Sequence, residues 1–182
     1  MSVLIPRKVF FVKGSGVAKM QLLSFELALR EAGIQRYNLV PVSSILPPGC
    51  EIIPAKEGLE LLPSGSILFL VLSKAYTNTY MQRINSVVGC AVSNDKKQYG
   101  YLSEYESTNE AESTAIEKAE AMAFSMLSSI SDKKLSLEST TKKEAKKSKS
   151  SKFVTTSSIS SSIILKEKNK WACTVSAACF IV

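Results

Sequence analysis

Two hydrophobic periods alternate along this chain, one of about two residues and one of about three and a half. Residues 8–13 (KVFFVK) form a short apolar run that stops at Gly14 and Gly16, which predicts a strand closed by a turn. Leu22, Phe25, Leu29 and Ala32 then recur at helical spacing, predicting a helix over 19–32 with Gly33 as its stop. Residues 37–42 (YNLVPV) predict a second strand, which runs into SSILPPG, where two prolines and a glycine demand a rigid, irregular turn. Further strands are predicted at 52–54, 66–72 and 84–92, and the turn SNDKK folds the last of these back onto 98–105 (QYGYLSEY). Ala111, Ala115, Ala119, Met122 and Met126 mark the apolar face of a long helix over 109–129, with Glu110 and Glu112 suited to its N-terminal dipole. Two β-rich stretches, 154–165 and 171–182, close the chain around the turn KEKN. Strands mixed with two amphipathic helices and two hairpins predict an α+β sandwich with a largely antiparallel sheet.

Composition narrows the chemistry. The 182 residues suit one domain, or one domain with an appendage, and include no histidine. That absence removes Ser-His-Asp and Cys-His catalysis, the HExxH metal helix and every His-containing zinc site. Proton transfer then falls to a carboxylate, Lys, Tyr, Cys or a cofactor. Cys50, Cys90, Cys173 and Cys179 show no CxxC spacing, and three of them sit among apolar or small neighbours, so buried free thiols and no metal are expected. No apolar h-region opens the chain and the longest apolar run, 67–72, is too short to span a bilayer, so a cytoplasmic protein without a membrane contact is expected.

The net charge of +7 is concentrated in one segment: residues 1–131 hold 12 basic and 12 acidic residues, whereas 132–152 hold 8 lysines against 3 acids. The Lys/Ser/Thr composition of 132–152 offers too little apolar surface to offset ordering, and reads as a disordered insert. It has no arginine and no aromatic residue for stacking, so a solvated loop fits it better than a nucleic-acid contact.

Two stretches invite a chemical reading. Gly14-Ser15-Gly16 follows a strand, but GxGxxG would need glycine where Lys19 stands and GxxxxGK fails too, so a plain strand-to-helix turn explains it better. The second, residues 38–49, puts the Ser44 hydroxyl beside the Ser43 carbonyl at the exit of a strand, with Pro47-Pro48 limiting relaxation. Such a place can hold the backbone strain that an intramolecular acyl shift needs. There Ser44 Oγ attacks the Ser43 carbonyl, the ester eliminates to dehydroalanine, and hydrolysis leaves a pyruvoyl group at a new N-terminus. Ser-Ser pairs are common in a serine-rich chain, and the dipeptide alone reads as an ordinary loop.

The wider arrangement changes that weighting. LALREAGIQRYNLVPVSSILPPGCEIIP, followed by YGYLSEYE and later by SIILKEKNKWACTVSAACFIV, resembles the pyruvoyl-dependent arginine decarboxylase family, with the lysine-rich insert outside the match. The resemblance implies a four-layer αββα sandwich, assembled as homotrimers of two-chain protomers with active sites between neighbours. It implies cleavage into chains 1–43 and 44–182, a pyruvoyl made from Ser44, and conversion of L-arginine to agmatine and CO₂. It assigns Glu104 as the proton donor and places Asn38 and the new C-terminus at Ser43 beside the pyruvoyl.

The residues themselves add to this. Strand alternation sets Glu104 on a face with Gly100 and Leu102, opposite Tyr99, Tyr101 and Tyr105, where a partly buried carboxyl with a raised pKa can carry a proton. Glu26 lies between Leu22 and Leu29, inside an apolar stripe, and by the resemblance stands where related members carry aspartate; it is the expected guanidinium partner, with Leu22, Leu29 and Ser43 as the other expected substrate-binding residues. The processing turn fixes the cofactor and not the substrate, so histidine, ornithine and lysine remain rival substrates. A non-catalytic protein holding nucleic acid through the lysine-rich segment is the rival from another class.

Overall fold

The structure, a computed structural model, describes residues 3–131 and 154–182. The expected disordered insert at 132–152 lies outside the described residues. Twelve elements follow in the order β1 (Lys8–Ala18), α1 (Gln21–Glu31), β2 (Asn38–Pro41), β3 (Ile45–Leu46), β4 (Glu51–Ile52), α2 (Ala55–Glu60), β5 (Ile67–Thr77), β6 (Arg83–Ser93), β7 (Gly100–Thr108), α3 (Glu112–Ser131), β8 (Val154–Ile164) and β9 (Trp171–Ile181).

The strands form two sheets, ordered β2-β5-β9-β1-β4 and β3-β7-β6-β8. Pairing is antiparallel except at β1–β4 and β2–β5. β9 shows why the sheets stack. Its Cys173, Val175, Ala177 and Cys179 face a core shared with Ala28 and Leu29 of α1, while Ala178 and Phe180 face a second core shared with Val88, Cys90 and Leu102 of the other sheet. Alternation along a strand buried on both faces thus joins two cores. On the far side of the four-stranded sheet, Ala115 and Ala119 of α3 pack on Val87, and Ala123 and Leu127 pack on Ala91. The layers run helix, sheet, sheet, helix, in agreement with the α+β sandwich expected.

Three local expectations need correction. β1 does not stop at Lys13 but runs through Gly14-Ser15-Gly16 to Ala18, pairing with β9 along its whole length. The two glycines serve the helix above them. A Cβ on Gly14 would lie 2.1 Å from the Ala28 carbonyl oxygen, and one on Gly16 2.3 Å from that of Ser24. A Gly16→Ala chain should therefore lose about 1–3 kcal/mol through overpacking, seen as a lower midpoint in urea unfolding. An unchanged midpoint would show that α1 can lift off the sheet freely.

The last two strands are not a hairpin: β8 pairs with β6 and β9 with β1 and β5, so the intervening turn carries the chain from one sheet to the other. Composition explains the split, because the apolar β9 suits a central place and the serine-rich β8 an edge. The short helix α2, which its six residues make too brief for a helical period to register, fills the gap beside β1. Among the described residues no helix is long and apolar enough to cross a membrane, and no cluster of three metal-ligating side chains occurs.

Candidate active site

The chain changes sheets between β2 and β3. Val42 N–H donates to Leu70 O at 2.9 Å in the five-stranded sheet, and Ser44 O accepts from Leu102 N–H at 2.8 Å in the four-stranded one. The Ser43–Ser44 bond lies at that crossing, with each flank pinned to a different sheet. Between the two anchors, Ile45 N–H donates to Ser43 O at 2.9 Å, closing a one-residue γ-turn around Ser44. Ser43 is exposed and Ser44 half-buried.

Glu104 comes to this crossing on β7. Leu102 packs in the core between the sheets, and Ser103 turns to α3, where its hydroxyl donates to Ala119 O at 2.6 Å. Such close seating is open to the helix because Gly89 of β6 carries no side chain; a Cβ there would lie 2.6 Å from that same oxygen. The Ser44 hydroxyl donates to Glu104 Oε2 at 3.1 Å. The Glu104 side chain is exposed, not partly buried as the strand pattern suggested. β3 covers β7 only at Gly100 and Tyr101, and the edge of β7 beyond the Ser44–Leu102 hydrogen bond is open.

A cavity of about 350 Å³ opens over this pair, lined by Ser44, Ser103, Glu104, Met122, Ser125 and Met126. Among the described residues lining it, Glu104 alone is ionisable. Met122 and Met126 form one stripe of α3 at i, i+4 spacing and supply an apolar wall. The sequence showed them as part of the helix's apolar face; two bulky methionines beside small alanines were the available signal that this face is not all core. One turn away, Lys118 Nζ bonds the Glu110 carboxylate and donates to the Tyr105 hydroxyl at 3.1 Å. Lys118 holds the Glu110 carboxyl below its ordinary range, and Glu110 raises the Lys118 ammonium in turn.

The remaining expected site residues lie elsewhere on the chain. Asn38 is exposed at the start of β2, and its amide donates to Gly65 O at 2.9 Å. Five residues of extended chain, roughly 16 Å at 3.3 Å per residue, separate it from Ser43. Glu26 is paired with Arg30 at 2.9 Å on the surface of α1, and Leu22 beside it is 73% exposed. Leu29 is buried in the core between α1 and the five-stranded sheet.

Cysteine offers no competing nucleophile. All four thiols are free, and burial pushes those of Cys50 and Cys90 up to about 11 and that of Cys173 to about 12, with Cys179 raised as well. They stay protonated at neutral pH. What remains is a hydroxyl, a carboxylate and a peptide bond held between two sheets, a set suited to acyl transfer followed by proton delivery.

Comparison with known proteins places these features in context. The sequence profile described as pyruvoyl-dependent arginine decarboxylase matches residues 8–182. A pyruvoyl-dependent arginine decarboxylase of Thermoplasma volcanium is 39% identical over 182 residues, covering all of both chains. Pyruvoyl-dependent arginine decarboxylase 1 of Methanosarcina acetivorans is 40% identical over 179 residues, 98% of each chain. A Methanococcoides burtonii protein of the same description is 52% identical over 124 residues, covering 68% of this chain and 69% of its own.

Proposed function

Because the chain belongs to the pyruvoyl-dependent arginine decarboxylase family, we propose that it cleaves itself between Ser43 and Ser44 and converts L-arginine to agmatine and CO₂. The observation that carries this reading is the Ser44 hydroxyl donating to Glu104 at 3.1 Å, beside a peptide bond whose two flanks are held by different sheets. The pyruvoyl group is covalent and arises from Ser44 itself, so the fit concerns only the surroundings of that residue. They suit it: Ser44 opens onto a cavity with one carboxyl within hydrogen-bond distance and an apolar wall opposite. Once formed, the group supplies a ketone that takes the substrate's α-amine and serves as the electron sink for loss of CO₂.

The chain's own residues do the rest. Glu104 first accepts the Ser44 hydroxyl proton during cleavage, then delivers a proton to the carbon that CO₂ leaves. Met122 and Met126 keep water away from the place where the carboxylate sits, and an apolar surrounding favours a neutral leaving molecule over an anion. Among the described residues no acidic side chain besides Glu104 lines this cavity to partner a guanidinium. Leu22 and Asn38 stand exposed and Glu26 half-buried on the same protomer, as residues do when a site is completed by a neighbouring subunit. A homotrimer of two-chain protomers accounts for that placement. The Glu26–Arg30 pair is a surface pair of little energetic weight, easily exchanged for the bidentate pairing that a substrate guanidinium offers.

The test is intact mass under denaturing conditions, followed by CO₂ release from arginine, histidine, ornithine and lysine in parallel. Two species are expected, one ending at Ser43 and one starting at residue 44 and lighter by one ammonia than a serine-initiated chain, with arginine preferred. A single full-length mass that nevertheless releases CO₂ would end the pyruvoyl reading. Two chains that ignore arginine would keep the cofactor and change the substrate.

A further inference from the structure

We infer that the backbone N–H of Glu104 holds the α-carboxylate of the substrate, a role that rests on the reading of residue 44 as the point where substrate attaches. The hydrogen bonds at the two ends of β7 show which of its residues face β6 and which face outward. Leu102 N–H donates to Ser44 O at 2.8 Å on the outer side, and just past the other end Asn109 N–H donates to Arg83 O at 2.9 Å on the β6 side. Peptide groups alternate along an antiparallel strand, so those of Ser103, Tyr105 and Ser107 face β6 and those of Leu102, Glu104 and Glu106 face outward. The Ser73 hydroxyl agrees with this assignment: it donates to Tyr105 O and accepts from Val87 N–H, two groups of one β6–β7 pair. β3 and Ser44 cover the outer edge only as far as Leu102. Among the described residues nothing bonds the Glu104 N–H, the first free donor past that point.

The place of this donor sets what it can hold. It belongs to the residue whose carboxyl reaches Ser44, in the wall of the cavity that both residues line. The uncut chain leaves β7 here, turning at Ser44 and joining the other sheet at Val42, so the edge opposite Ser103 and Glu104 stays open. An amino acid joined to residue 44 through its α-amine continues the line of β3 instead. Its carboxylate carbon then stands where the α-carbon of a preceding strand residue would, about 4.5 Å from Ser103 Cα. From there one oxygen turned toward β7 reaches the Glu104 N–H, whereas the next outward N–H, that of Glu106, is about 7 Å further along. The Glu106 carboxylate is tied to β5, accepting the Ser73 hydroxyl at 2.9 Å and the Lys74 N–H at 3.2 Å. The Glu104 carboxyl is neutral while it holds the proton it will deliver, and so does not repel the anion beside it. Held by one oxygen, the substrate carboxylate keeps a fixed angle to the ketone, the alignment that loss of CO₂ requires. The product has no carboxylate and forfeits this bond, so the site releases it more readily than substrate. The anchor is blind to the side chain: it sorts amino acids from amines, not one basic amino acid from another.

The test uses fully cleaved protein, verified by intact mass, and two competitive inhibitors of arginine decarboxylation. Desamino-arginine keeps the carboxylate and guanidinium but lacks the α-amine; agmatine keeps the amine and guanidinium but lacks the carboxylate. The parental chain is compared with one carrying the α-hydroxy acid analogue of glutamate at position 104, which replaces only the N–H, by an ester oxygen. The inhibition constant of desamino-arginine should rise about tenfold or more in the ester chain, the loss expected of a hydrogen bond to a charged group. That of agmatine should stay as it was. In the parental protein, desamino-arginine should also slow deuterium exchange at the Glu104 amide more than agmatine does at equal occupancy. Should the ester chain fail to fold or cleave, the exchange measurement decides. Equal shifts for the two inhibitors overturn the assignment, as does a Glu104 amide that exchanges equally fast with and without desamino-arginine. A parental chain that releases no CO₂ from arginine removes the underlying reading instead, and the assignment with it.

Discussion

A Ser44→Ala chain is expected to give a single unbroken polypeptide with no arginine decarboxylation above the uncatalysed background. Alanine has no oxygen to attack the Ser43 carbonyl and no Cβ–O bond to eliminate, so neither the cut nor the ketone can form. The fold should survive. In the structure the Ser44 hydroxyl makes one hydrogen bond, to an exposed carboxylate, and losing it costs about 0.5–1.5 kcal/mol. The anchors on either side, at Val42 and at the Ser44 carbonyl, are backbone bonds that alanine keeps. Denaturing mass spectrometry and CO₂ release on one sample check both halves of the expectation. An unbroken chain with full activity would mean that the electron sink lies elsewhere in the molecule.

Glu104→Gln separates the two tasks of one carboxyl. Glutamine keeps the size of the side chain and can still hydrogen-bond the Ser44 hydroxyl, but it neither accepts nor donates a proton. Cleavage should be slower yet run to completion, since it happens once and solvent reaches this exposed position. Turnover needs a proton every cycle, and kcat is expected to fall by about 10²–10⁴, the usual contribution of a positioned acid or base. The comparison requires fully cleaved protein, verified by mass before the assay, so that the loss is counted per active chain. An undiminished kcat would transfer the proton to another group.

Much of the frame could be read from the sequence, because most elements carry their own period. The alternation in residues 171–182 announces a strand, and the alanine and methionine spacing in 109–129 announces a helix. What the period cannot reveal is who pairs with whom. β8 and β9 look like a hairpin and are not, since the choice of sheet is made by the polarity of the whole strand against its eventual neighbours. Gly14 and Gly16 resemble a turn because glycine has no side chain, and the same lack of a side chain is what lets a helix lie directly on a strand. The meeting of Ser44 and Glu104 spans sixty residues and was indicated by family resemblance; the structure brings the two within hydrogen-bonding distance.

The order of the strands in the five-stranded sheet also fixes when the chemistry can begin. β9, made of Trp171–Ile181, lies between β5 and β1, and among the described residues β5 in turn is the only neighbour of β2, which leads into the crossing at Ser43. The ribosome makes those residues long after Ser44. A nascent chain that still lacks them has no strand to join β1 to β5, and so no completed sheet to hold one flank of the bond. On the proposed reading translation thereby acts as a timer, because β9 must be made before the chain can cut itself. The first forty-three residues are then already clasped between the start and the finish of the remainder, by β4 on one side of β1 and β9 on the other.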